Sequence, residues 1–136
     1  MYLTYKDITS NSLIDHTKST LNGGEIISYY IDKNSGWKII ERYPLIQFGI
    51  IQTENIRFYS NAHDKSTQAF IRDTFKKLDD IIDLDFVEYL DNNGSILDIY
   101  NIQSSTSFED NVIGQALAQK SNAGSWWEIF WKNSLL

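Results

Sequence analysis

Residues 64–83, DKSTQAFIRDTFKKLDDIID, carry the one long helical period in the chain. Ile71, Phe75, Leu78 and Ile82 recur at i, i+4, i+7 and i+11, and Phe70 and Ile81 widen that stripe. Arg72, Asp73, Lys76, Lys77, Asp79 and Asp80 fill the opposite side. This is the 3.6-residue period of a helix that buries one face. Asp64 or Ser66 is placed to accept the first unpaired backbone N–H groups as an N-cap. A helix of this length is marginal alone in water, so its stripe has to pack on something. The flanking segments supply a sheet.

Working outward, Leu84–Leu90 (LDFVEYL) and Ser95–Ile102 (SILDIYNI) read as strands separated by a turn at Asp91-Asn92-Asn93-Gly94. Upstream, Glu25–Lys33 (EIISYYIDK) and Trp37–Tyr43 (WKIIERY) are rich in β-branched and aromatic residues. The short Asn34-Ser35-Gly36 turn between them predicts that they form a hairpin. Pro44 interrupts, and Leu45–Ile51 and Asn55–Ser60 are two further apolar runs. Residues 1–22 are polar and mixed; Tyr2, Leu3, Tyr5 and Ile8 are read as a short strand or an arm on the core. Beyond the central segment, residues 103–111 read as polar loop. Val112–Gln119 is ambiguous between strand and short helix, and WWEIFWKN is a strong strand. Alternation along that strand puts Trp127, Ile129 and Trp131 on one face and Trp126, Glu128, Phe130 and Lys132 on the other.

The expected fold class is α+β. A twisted mixed sheet is backed by one long amphipathic helix over about 64–83, in a single domain spanning 1–136. Residues 1–44 are read as an N-terminal extension or a hairpin packed on the core. With 136 residues, 42% of them hydrophobic, the chain can bury one core without staples. Cysteine is absent, which excludes disulfides, thiolate metal sites and cysteine nucleophiles. The net charge is −6, and Lys76-Lys77 is the only adjacent basic pair, so phosphate contacts are scarce and nucleic acid is not an expected partner. No run of about 18 apolar residues predicts a membrane helix, and residues 1–20 lack the apolar stretch of a signal peptide. The default expectation is a cytoplasmic protein, with secretion by a route that needs no N-terminal signal left open.

The order of elements from Ile56 onward resembles the front half of a metzincin zinc-protease catalytic domain, nearest the serralysin branch. Ile56–Ser60 looks like the opening strand, and Phe70–Asn92 like the helix and following strand, with Leu84, Phe86 and Glu88 at the positions of the family's "nl.F.E". SILDIYNI is similar to the strand carrying "aDI.i". Gly114–Gln119 is similar to the Gly-Ala edge strand, with Gln119 in place of proline. Gly124–Asn133 is similar to the Gly-Asp-aromatic strand, with Ser125 in place of aspartate. The resemblance covers about 80 residues. It implies a metzincin-like N-terminal subdomain: a mixed sheet backed by the 64–83 helix, with residues 112–119 antiparallel at its edge. In the family that edge strand binds extended peptide through main-chain pairing, which is β-augmentation.

The family's chemistry needs two imidazoles one helical turn apart on H-E-x-x-H and a third beyond. The helix that bears them in the family falls past Leu136. This chain has only His16 and His63, neither with a Glu-x-x-His neighbour, and both read as solvated residues outside any site. Zinc is implied by the resemblance but its ligands are missing, so no cofactor is expected and no catalytic residue is assigned. The acidic group Asp79, Asp80, Asp83, Asp85 and Glu88 reads as a solvated face, with a cation site or partner patch as the functional alternative.

The reading that follows is a non-catalytic or truncated relative of a metzincin-type metalloprotease, retaining the sheet and a peptide-binding edge. The candidate edge or interface residues are Ile113, Gln115, Leu117, Gln119, Trp127 and Trp131. A peptide or protein partner, or a homodimer through the aromatic strand, is the expected interaction, because Trp combines large apolar area with a polar handle. Two alternatives stand beside it. One is an unrelated small α+β interaction or phage or bacterial structural protein without enzymatic activity. The other is a complete enzyme using acidic residues.

Overall fold

The computed structural model describes residues 11–47, 50–105 and 113–132. The segment containing Tyr2, Leu3, Tyr5 and Ile8, and residues 106–112, lie outside the described residues. The elements are α1 (Asn11–Leu21), β1 (Ile26–Ile31), β2 (Gly36–Gln47), β3 (Ile50–Asn61), α2 (Lys65–Asp79), β4 (Asp85–Tyr89), β5 (Leu97–Ser105), β6 (Gly114–Ser121) and β7 (Gly124–Trp131). Among the described residues the fold is α+β, a seven-stranded mixed sheet with two helices.

The helix is shorter than its periodicity predicts. Asp64 caps it, its side chain accepting from the Thr67 backbone N–H, and Asp80 closes the other end. Ile81 and Ile82 fall beyond the last turn, the first of them 78% exposed. Asp79, Asp80 and Asp83 crowd a helix C-terminus, where negative charge opposes the macrodipole, so the helix stops where the acidic run begins. Within it Ile71 is buried and Phe75 packs beside it, whereas Phe70 is largely exposed.

The predicted hairpin between residues 25–33 and 37–43 does not form. β1 pairs in parallel with β4 (Ile26↔Asp85 to Tyr30↔Tyr89) and with β5 (Tyr29↔Leu97 to Ile31↔Ile99). β2 pairs instead with β3, antiparallel from Gly36↔Ser60 to Gln47↔Ile50, absorbing Pro44 in a register shift between Arg42 and Leu45. The physical reason lies in the burial of β1. Tyr29 and Ile31 are buried on one face and Tyr30 on the other, the two-sided pattern of a central parallel strand. β2 leaves Trp37 and Ile39 more than half exposed, so it belongs further out.

β5 is the hub of the sheet. It meets β1 along Leu97–Ile99 and, antiparallel, β3 along Asn101–Ser105, which extends it past the predicted strand end at Ile102. Its other edge pairs in parallel with β7 (Leu97↔Trp127 to Asn101↔Trp131). β6 then runs antiparallel to β7. The ladder β2–β3–β5–β7–β6 comes round far enough that β2 lies beside β6.

Two apolar clusters occupy the two faces. Toward α2 lie Tyr29, Ile31, Ile71 and Ile99, with Phe75, Phe86, Leu97, Ile129 and Trp131 against them. On the opposite face Tyr30, Ile56, Phe58, Tyr100, Ile102, Leu117 and Phe130 fill the curl between β2 and β6. Phe58 and Phe130 are fully enclosed there, their rings edge to face at 5.1 Å.

Residues 11–21, part of the stretch read as polar and mixed, form α1. The helix docks on β7 through polar contacts: His16 Nε2 donates to the Trp126 carbonyl at 2.8 Å, and the Ser19 and Ser125 hydroxyls meet at 2.8 Å. His16 also lies edge-on to Trp127 at 4.6 Å. The helix ends at Asn22 and Gly23, both with positive φ (48° and 78°), a conformation that glycine and asparagine tolerate best. Residues 11–44 thus supply α1, β1 and the first part of β2.

Candidate functional site

The β6–β7 hairpin is the region the sequence singles out. A two-residue turn, Asn122-Ala123, joins its strands, with Ser121 opposite Gly124. Successive side chains leave opposite faces, so the six candidate residues do not share one surface. Leu117 and Gln119 point into the curl and are buried. Ile113 and Gln115 are exposed near the other end of β6. Trp127 and Trp131 project to the helix side, half-buried: Trp127 against His16, Trp131 against His63. Both edges of β7 are occupied, by β5 and β6. Among the described residues, β6 has one ladder partner, β7, and its other edge faces β2. There Gln119 Nε2 donates to the Glu41 carbonyl at 2.9 Å, and a cavity of about 390 Å³ opens beside it, walled by Ile40–Arg42, Gln119–Ser121, Trp126 and Glu128.

Within the curl, β5 and β7 set two acids side by side. Asp98 and Glu128 are register partners on parallel strands, 3% and 4% exposed. Ser95 Oγ donates to Asp98 Oδ1. Trp126 Nε1 donates to Glu128 Oε1 at 2.9 Å, while Glu128 Oε2 is buried and has no hydrogen-bond partner among the described residues. Burial, then the charge of Glu128, pushes Asp98 up to about 8 against the pull of the Ser95 hydroxyl. Burial pushes Glu128 up to about 7, offset in part by the Trp126 indole. Two carboxyls sealed together cannot both ionise cheaply, so the pair holds a proton near neutral pH. A second cavity, about 280 Å³, is lined by Asn92, Ser95, Ser121, Ser125 and Trp126 with both acids.

A different acid organises the far end of β1. Asp32 is fully buried, and its carboxylate accepts from Tyr30 Oη (3.0 Å), the Asn34 backbone (3.2 Å), Ser60 Oγ and Lys38 Nζ. Its carbonyl accepts from His63 N (3.1 Å) and His63 Nδ1 (2.8 Å). Trp131 Nε1 donates to His63 Nε2 at 2.8 Å. A carbonyl only accepts and an indole N–H only donates, so His63 is neutral with its proton on Nδ1. Burial holds it below the ordinary histidine range.

Neither histidine is therefore the solvated residue that its sequence context predicts. Nor do they fit a zinc site: both nitrogens of His63 are committed, and His16 gives Nε2 to a carbonyl. Among the described residues no three His, Cys, Asp or Glu side chains gather for a metal. In the acidic run at 79–88, Glu88 is held by Arg72 (2.6 and 2.9 Å) and by Lys33 (3.4 Å), which keep its carboxyl below the usual range.

Sequence reasoning missed Asp98 and the pairing of Glu128 with it. Each stands at an alternation position whose neighbours on that face, Tyr100 and Phe130, are core residues. A charge in such a register is the signal; that the two meet across strands is visible only once β5 and β7 are known to be adjacent.

No family model matches the chain, and no curated protein or solved structure matches it either. Among the described residues no helix is long and apolar enough to cross a membrane.

Proposed function

We propose that this protein is a non-catalytic, peptide-binding relative of the metzincin-type proteases, using β6 as its docking edge. The observation that carries the reading is that β6 is an antiparallel strand at the end of its ladder, next to β7 and behind α2 in the chain order that the resemblance implies. The strand assigned by that resemblance to the opening position, Ile56–Ser60, lies antiparallel to β5. A strand–helix–strand crossover joins parallel neighbours, and here the parallel neighbour of β4 is β1, so β1 takes the opening role. The β2–β3 hairpin is then an insertion between β1 and α2. A peptide adding to β6 would use main-chain hydrogen bonds for affinity and side-chain pockets for selectivity. The seam between β6 and β2, bridged by one Gln119 side chain, is where it would enter.

The experiment is amide hydrogen exchange on the full chain, with and without a library of extended peptides. Binding at this edge slows exchange within residues 114–121 while leaving β4 unchanged. Peptide binding that protects β4 instead, or no protection at either strand, overturns the reading.

A second reading is an unrelated α+β interaction or structural protein. The observation in its favour is the β2–β3 hairpin, which already lies along the β6 edge. A homodimer through the aromatic strand would have to use its side-chain face, since both edges of β7 are taken. That face carries an apolar groove of about 290 Å³ between α2 and β7, lined by Phe70, Phe75, Ile129 and Trp131.

A further inference from the structure

We infer that the 280 Å³ cavity beside Asp98 and Glu128 is a binding site for a small organic cation, an alkylammonium or guanidinium group. The inference is independent of whether β6 pairs with peptide. Its starting point is Glu128, which lines the cavity and whose Oε2 is buried with no donor among the described residues. An unmatched buried acceptor costs stability, and a buried carboxylate costs more unless something positive or N–H-bearing meets it.

The charge on the cavity wall identifies what fits. Among the described residues that line it, Asp98 and Glu128 are the only ionisable side chains; the rest are Asn92, Ser95, Ser121, Ser125, Trp126 and the short residues Gly94, Ala123 and Gly124. None of these described lining residues is a lysine or arginine. The neighbouring 390 Å³ cavity differs in this respect, because Arg42 and Lys120 share its wall with Glu41 and Glu128. An ammonium group offers three donors, which the two carboxylates and the serine hydroxyls can accept. The Trp126 indole lends a polarisable wall for the cation's stem or charge. The cavity lies at the small end of ligand sites, which limits the ligand to a few carbons beyond its charged group.

Two sources present this chemistry: a free amine, or the side-chain tip of a lysine or arginine on another chain. Seating the cation ionises the acids, so binding releases protons and strengthens as pH rises.

The test uses the full-length protein at pH 8.5, followed through the Trp126 indole N–H resonance. It is titrated with butylammonium, ethylguanidinium, the neutral control 1-butanol, and an extended peptide containing one lysine. Saturable shifts with the free cations and none with butanol are expected, together with at least tenfold weaker binding at pH 5.5. Glu128→Gln, and separately Asp98→Asn, are expected to weaken binding at least tenfold while retaining a cooperative melt. Shifts from the lysine peptide alone assign the cation to a side chain; shifts from the free amines assign it to a small molecule. Absence of any saturable shift with all three cationic probes overturns the proposal, as does binding that both folded variants retain unchanged.

Discussion

Asp32 and Glu128 are both carboxylates sealed within the same sheet, and they are finished differently. Asp32 has a cation, Lys38, two hydroxyls and a backbone N–H on its oxygens. Glu128 has one indole N–H on one oxygen, no partner among the described residues on the other, and a second acid as its register partner. Burying a charge is tolerable only when partners replace its water, and removing one partner of a buried pair is costly. The first region therefore does structural work. The second leaves its acids under-partnered beside open volume.

The sharpest break of this contrast is Asp32→Ala, which strands Lys38, Tyr30 and Ser60 together. Urea unfolding should show a loss of about 3–5 kcal/mol. A loss under 1 kcal/mol would put Asp32 in the same class as Glu128.

Glu128→Gln should do the reverse and raise stability at pH 8 by about 1–3 kcal/mol, because an under-partnered charge is removed. The sign follows from linkage. The folded state raises both acids, to about 8 and about 7, so it binds more protons than the unfolded chain between about pH 4 and pH 8. Their contribution is intact below the unfolded values near 4 and is lost as pH rises through 7 to 8. Thermal melts at pH 4.5 and pH 8 should show the variant's advantage at the higher pH and little at the lower.

His63 should give the opposite slope. Its folded value is depressed, so its contribution is present above the unfolded value near 6.5 and drains away as pH falls. His63→Ala should cost about 1–3 kcal/mol at pH 7.5, since it orphans the Trp131 indole N–H, and less at pH 5. An equal cost at both values would mean that the imidazole is not held neutral.

The smallest effect tests the seam beside the acids. Gln119→Ala removes one hydrogen bond to Glu41 and should cost about 1 kcal/mol. It should also speed amide exchange along residues 38–42 without touching β1. If exchange is unaltered, the side chain is not what keeps β2 against β6.

How much of this was legible varies with the kind of contact. Helix α2 and strands β4, β5 and β7 announce themselves because their burial is periodic along the chain. α1 does not, because it docks by His16 and Ser19 and has no apolar stripe to read. β1 reads as a strand, but its partners lie far along the chain, and a short Asn-Ser-Gly turn predicted the nearer one. The candidate site was half legible. Glu128 stands out among aromatics on the face it shares with Phe130, while Asp98 becomes its neighbour only through the β5–β7 pairing. The candidate edge residues Leu117 and Gln119 face inward because alternation fixes their side chains but not which face is inside.

The central position of β1 bears on how the protein is made. Its strand leaves the ribosome early, yet the partners on both its sides, residues 85–89 and 97–99, emerge much later. At about 5–20 residues per second, synthesis leaves β1 unpaired for several seconds. The β2–β3 hairpin, whose pairing is local, can close in that interval, and a β1 with bulky apolar residues on both faces waits beside it with both edges open. Nascent chains arrested before residue 97 should therefore be the aggregation-prone species, and release past that point should end the hazard.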